Sequence, residues 1–259
     1  MDSVGYEPSA FSPFDESTTV SELAAGLTFS LNNAPHPLCL LAAERLQAHL
    51  EQQEWEHNFG LPGNAAGTVI GKMFGVLIVR TRDNELGYLA AFSGKLAGGN
   101  HHAKFVPPVF DGLEPGGFVN TGMLELAAIN KEISLLESFT DDESAAQVRL
   151  LKILRKNHST ALQHKIFEQY HFLNKAGASK SLTEIFAHTP SGKPPAGAGE
   201  CAAPKLLQYA FQHGMEPLAL AEFWWGQSPK SDYWQHGHFY APCREKCAAI
   251  LAHMLGEQE

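Results

Sequence analysis

Long apolar runs are missing from this chain. None approaches the roughly 20 residues that a membrane-spanning helix needs. The start also lacks a secretory signal. Met1 to Thr19 carries Asp2, Glu7, Asp15 and Glu16 and no Lys or Arg, the opposite of a basic start before an apolar block. The expectation is a cytoplasmic protein with no membrane partner. Cysteine is scarce, with four in 259 residues, which excludes a disulfide scaffold. Basic residues are in deficit too: 19 Lys and Arg face 28 Asp and Glu, a net charge of -9. A compact nucleic-acid binder usually has the other sign, because phosphate neutralisation supplies most of its affinity. Neither a Walker motif nor a dinucleotide fingerprint is present; Ser93-Gly-Lys95 with Gly98-Gly99 is only a glycine-rich loop after a strand.

What is present is ordinary globular material, 44% hydrophobic and 18% charged. Residues 1–35 are polar and proline-punctuated, and predict an extended N-terminal arm. Helical spacing follows over 36–55, with Leu40, Leu41, Ala43, Leu46 and Leu50 on one face and Pro37 in the first turn. Met73 to Arg80 and Leu86 to Phe92, joined by Arg82-Asp-Asn-Glu85, predict an antiparallel hairpin. Over 121–172, Leu124, Leu126, Ile129, Ile133 and Leu136, then Val148, Leu151, Leu154, Leu162, Ile166 and Tyr170, predict two helices. Thr140-Asp-Asp-Glu143 between them resembles a capping box. A helix over 204–211, a buried strand over 217–224 and a last helix over 243–255 complete the pattern. The fold class is α/β (α+β): a small mixed sheet with a β-hairpin, packed helices and an inserted long helical hairpin. The domain reading is an arm over 1–35, a core over 36–120 and 190–259, and an inserted hairpin over 121–189.

Charge is uneven along the chain. Lys152, Arg155, Lys156, Lys165, Lys175, Lys180 and Lys193 lie in a stretch whose acids are Glu168 and Glu184. The exposed face of the helical hairpin should therefore be basic. Lys152, Arg155, Lys156 and Lys165 are the candidate RNA contacts, against the plainer reading of a solvated face. A dimer through the hairpin is a further expectation.

Three of the cysteines fall in the last 60 residues. Cys201 sits at the start of one predicted helix and Pro242-Cys243 at the start of another, with Cys247 one turn on. A helix N-terminus stabilises thiolate through its free N–H groups and its dipole. Two such ends meeting across a strand would bring Cys201, Cys243 and Cys247 together. With His238 or His236 as a fourth donor they would make a zinc set. Three small buried side chains, or a redox group, are the competing readings. His101-His102 is expected to be an exposed loop pair. Glu222 within an apolar strand is either a functional acid with a raised pKa or, the favoured reading, the partner of a Lys or Arg. Trp224 and Trp225 are expected in the core rather than stacked on a base.

The order of hairpin, cysteine helix, strand and Pro-Cys helix resembles the cytidine deaminase-like fold. In that fold a proton-shuttling Glu lies two residues after the first His or Cys. Here that place is Ala203, so the resemblance implies no deamination, or an unusual acid.

Longer stretches resemble one family. They are Gly71 to Arg80, Gly87 to Leu96, Phe105 to Asp111, Pro195 to Phe211, Ala221 to Lys230 and His238 to Cys247. Together they are similar to the N-terminal region of long bacterial RluA-type pseudouridine synthases. That resemblance implies an accessory, RNA-facing domain with rRNA or tRNA as the partner of a following isomerase domain. The family's Arg-Leu-Asp motif, whose Asp attacks uridine, does not occur in this sequence. No catalytic residue for isomerisation is therefore expected in it, and zinc is the one cofactor anticipated.

Overall fold

A computed structural model describes residues 10–15, 18–29, 31, 34–63 and 66–256. Its centre is a five-stranded sheet. The strands are β1 (Ser12–Pro13), β2 (Lys72–Arg80), β3 (Leu86–Phe92), β6 (Glu216–Trp225) and β7 (Phe239–Tyr240), in the order β1-β3-β2-β6-β7. Every ladder in it is antiparallel, with one isolated parallel bridge between Ala90 and Phe105. A separate two-stranded ribbon pairs β4 (His171–Leu173) with β5 (Ser179–Ser181).

Both faces of the sheet are covered, which explains why its strands read as unbroken apolar runs. On one face lies α2 (Pro37–Gln52), whose Leu38, Ala42, Leu46 and Leu50 meet Phe74, Val76 and Ile78 of β2 and Phe223 of β6. Its start is capped by His36, whose Nδ1 accepts the Leu38 N–H, with Pro37 in the first turn where its missing N–H costs nothing. The polar arm contributes here as well. Phe14 packs on Tyr88, Asp15 pairs with Arg45, and α1 (Thr18–Ala24) buries Val20 and Ala24 in the same layer.

On the other face lie α5 (Leu182–Phe186), α6 (Ala202–Gln212) and α7 (Arg244–Leu255). Their Leu206, Leu207, Ile250 and Met254 meet Leu77, Leu89 and Leu220 from the sheet. A register shift between Ile78 and Val79 of β2 fixes which residues of β6 face which layer. Ala221 and Phe223 point to α2, whereas Leu220 belongs to the α6 side. Glu222, two residues on, faces α6 with it.

The long helices are α3 (Phe118–Leu136) and α4 (Asp142–Gln169). Asp141 caps α4, its Oδ1 accepting the Ser144 N–H at 2.8 Å. The inserted unit is narrower than 121–189. Tyr170, Phe172, Leu182, Ile185 and Phe186 all sit in the core with α6 and α7. The Phe172 carbonyl bonds His253 Nε2, and the Leu173 N–H bonds Gln208. The ribbon and α5 therefore complete the main core, against which Ile166 and Phe167 at the end of α4 also pack. Among the described residues no helix is long and apolar enough to cross a membrane.

Candidate functional site

The three cysteines do come together. Cys201 is the N-cap of α6 and Cys243 the N-cap of α7, both in extended or near-extended backbone with no side-chain cap bond. Cys247 lies one turn into α7 and is fully buried. Gly199 delivers the loop into α6 at φ +87°; a Cβ there would strike Phe172 and Tyr170. Its N–H reaches the Cys247 sulfur. All four cysteines are free thiols.

The sulfurs act strongly on one another. Contacts from the Cys201 and Cys247 thiols, helped by the N–H groups of Lys246 and Glu245, hold Cys243 down at about 2. Cys201 is pushed up, first by its contacts with Cys243 and Cys247 and then by burial. For Cys247 the Cys201 contact pulls downward, but Cys243 and burial outweigh it and lift the thiol to about 12. Of the three, Cys243 at the helix N-terminus is the thiol most readily ionised.

Beside the thiols sits Glu222. It is 2% exposed, and its Oε1 accepts the Ala203 N–H at 3.0 Å. Burial lifts its pKa to about 8; the Ala203 N–H opposes this and the Cys243 charge adds to it. Among the described residues Glu222 has no Lys or Arg partner, so the expected ion pair is corrected. The nearest buried cation, Lys205, is committed elsewhere, to Glu200 at 3.5 Å and to the carbonyls of Phe92 and Gly94. Glycine explains the close fit. Gly75 lies opposite Glu222 in the β2–β6 ladder, and a Cβ on it would come within 2.9 Å of Ala202. Without that side chain α6 settles onto the sheet and its first turn meets the carboxylate.

The surrounding loop is built from the same motifs. The Gly94 N–H donates to the Glu200 carbonyl at 2.8 Å, tying the Ser93-Gly-Lys95 loop to the start of α6. A cleft of about 220 Å³, lined by Lys95, Asn100, Phe110, Tyr170 and Glu200 among others, opens alongside. Burial lowers the pKa of Lys72, with help from Lys205 and Lys95, so three cations gather at this edge.

Other anticipated residues fall elsewhere. His238 is exposed, its carbonyl accepting the Trp224 N–H, and no contact with the thiols is among those described. His236 takes the Gly226 N–H on Nδ1 and packs on Trp225. Among the described residues, no group of three or more His, Cys, Asp or Glu is arranged to hold a metal ion. Trp225 is core, whereas Trp224 is half-buried and stacked on Trp234 at 5.3 Å. His101 is exposed and pairs with Asp111 at 2.9 Å, while half-buried His102 bonds the Leu96 carbonyl.

The basic residues of α4 are partly engaged. Lys152 pairs with Glu137 at 2.7 Å and Arg155 donates to Asn130 at 3.0 Å, both across the α3–α4 seam. Lys156 and Lys165 are exposed. The outer surface is not the uniformly basic face expected from charge counting, because Leu150, Ile153 and Leu154 lie there as well. Leu124 and Leu154, part of the apolar periodicity that predicts these helices, are 72% and 53% exposed. Sequence reading missed the Glu222–Ala203 contact; its signal was a lone carboxylate in an apolar strand opposite Gly75. No family model, no curated protein and no solved structure matches this chain.

Proposed function

We propose that the Cys201, Cys243 and Cys247 cluster is a zinc site in a deaminase-like domain, with Glu222 as its proton-handling carboxylate. One observation carries the reading. The Glu222 carboxylate, beside the thiols, bonds the backbone of Ala203, the position where a deaminase-like helix would bear its Glu. In this reading the strand carboxylate stands in for the helix Glu that Ala203 replaces. The donor set suits zinc in kind, being three soft sulfurs at two helix starts, although as placed the sulfurs are not in a ligand arrangement. In the chain itself, burial keeps Glu222 protonated to higher pH than an ordinary carboxyl, the form a proton donor needs. Gly75 and the Ala203 N–H fix that carboxylate's position.

The test is metal content and ammonia release together. Wild-type chain purified without chelator should carry one zinc, and Cys243→Ser should lose it while keeping its helix content. Wild type that is folded and metal-free under zinc supplementation would sink the reading. Ammonia released from cytidine- or adenosine-containing oligonucleotides, and abolished in Glu222→Gln, would establish the acid.

A second reading sets this domain beside a pseudouridine synthase catalytic domain, as an accessory facing rRNA or tRNA. What favours it is convergence. The stretches that carry the family likeness, Ser93 to Lys95, Glu200 to Lys205 and Pro242 to Cys247, meet around one site rather than scattering.

A further inference from the structure

The hairpin of α3 and α4 leaves a second apolar stripe in water. Its inward residues are Gly122 and Ile133 on α3 and Val148 and Leu162 on α4, which are buried. On α4 the outward set is Ala146, Leu150, Ile153, Leu154, Asn157 and Ala161, all exposed. Leu150, Ile153 and Leu154 are 68%, 58% and 53% exposed. Three apolar side chains of this size on one helix face mark an interaction surface rather than chance exposure.

The charges that flank that stripe point to its occupant. Successive gaps are four, three, one, three and four residues, so it is the same read from either end. Two copies of α4 laid antiparallel about a two-fold axis between Ile153 and Leu154 bring the stripe onto itself. Ile153 meets Leu154, Leu150 meets Asn157, and Ala146 meets Ala161. Alanine at both ends lets the helix axes approach. The charges follow the same symmetry: Asp142 meets Lys165 and Glu143 meets His164. An isologous contact requires such self-complementarity, and a foreign partner does not.

We infer that the chain dimerises through α4, the two hairpins packing as an antiparallel four-helix arrangement. The contact spans about four turns, roughly 22 Å at 1.5 Å per residue, the size of a reversible interface rather than an obligate one.

Sedimentation velocity tests this on the whole chain. Wild type should shift from monomer to dimer as its concentration rises through the range of about 1 to 100 µM. Leu150→Glu with Leu154→Glu should stay monomeric with unchanged circular dichroism. Asp142→Lys alone and Lys165→Asp alone should each weaken the dimer about tenfold, a loss of about 1.4 kcal/mol. Mixed together, these two variants should recover it, because the heterodimer restores both cross-pairs. A wild type that is monomeric throughout overturns the inference. So does a dimer indifferent to the leucine changes, or a charge-variant mixture no tighter than its parts. Capture of a different protein by a chain that remains monomeric also overturns it.

Discussion

The α/β core and the α3–α4 hairpin use the same apolar residue types to opposite ends. In the core, helices cover both faces of the sheet, and side chains such as Phe74, Phe172, Leu206 and Phe223 are wholly buried. In the hairpin few side chains are buried, while Met123, Leu124, Leu135, Leu150, Ile153 and Leu154 meet water. A domain that satisfies itself and an element awaiting company are thus joined in one chain. Their difference shows that apolar periodicity reports the presence of a helix more securely than it reports which of its stripes is covered.

The sharpest way to break the comparison is matched truncation. Leu206→Ala in α6 leaves a void beneath three sheet strands and should cost about 2–5 kcal/mol in urea unfolding. Leu154→Ala on α4 should cost under about 0.5 kcal/mol at protein concentrations too low for association. Equal losses would mean that Leu154 is packed within the monomer. Gly75→Ala comes next. The added Cβ meets Ala202 at 2.9 Å, so α6 must lift from the sheet. The expected cost is about 1–3 kcal/mol, and Glu222 should lose its Ala203 bond. An unchanged midpoint would show that α6 is not held by that approach.

Much of this was legible in the chain. The strands over 73–80 and 86–92, the α6 and α7 helices and the meeting of Cys201, Cys243 and Cys247 all follow from local signals: apolar runs, turn residues, prolines and helix starts. The β4–β5 ribbon and the short β1 and β7 were not legible. Three-residue strands such as Ser179–Ser181 have no period to detect and exist because Phe172 and Leu182 anchor them to α6 and α7. The Glu222 contact was hidden for a related reason. It depends on the strand register that sets Gly75 against Glu222, and register is a property of two distant segments. The exposed Leu124 and Leu154 reflect two overlapping apolar stripes, which spacing alone does not separate.

A pH titration sharpens the contrast at the site. Glu222 has a folded pKa raised from 4.5 to about 8. Its protonated form is the one that folding favours. The contribution is full below about 4.5 and declines as pH rises toward 8, at up to about 1.4 kcal/mol per pH unit. In chelator-treated protein, wild type should therefore lose stability relative to Glu222→Gln across that window. A constant difference between the two would place the carboxylate in water.

The smallest effect is expected on the hairpin's charges, and it separates stability from binding. Lys152 pairs with Glu137 while half-exposed, so the pair is screened by solvent. Lys152→Met should change the unfolding free energy by no more than about 1 kcal/mol. The triple change Lys152→Glu, Arg155→Glu and Lys156→Glu replaces three cations on one helix with three anions. It should leave helix content intact, since none of the three is buried. If RNA contacts α4, the reversal should weaken binding of structured RNA uniformly across sequences and flatten its salt dependence, because phosphate contacts release counterions without reading bases. Lys152 and Arg155 already serve Glu137 and Asn130, so phosphate must compete with partners in place. Lys156 and Lys165 are therefore expected to carry most of the contact. A gel-shift titration decides it: no shift by wild type at micromolar concentration, or a shift untouched by the reversal, removes RNA from this helix and leaves it to the second copy.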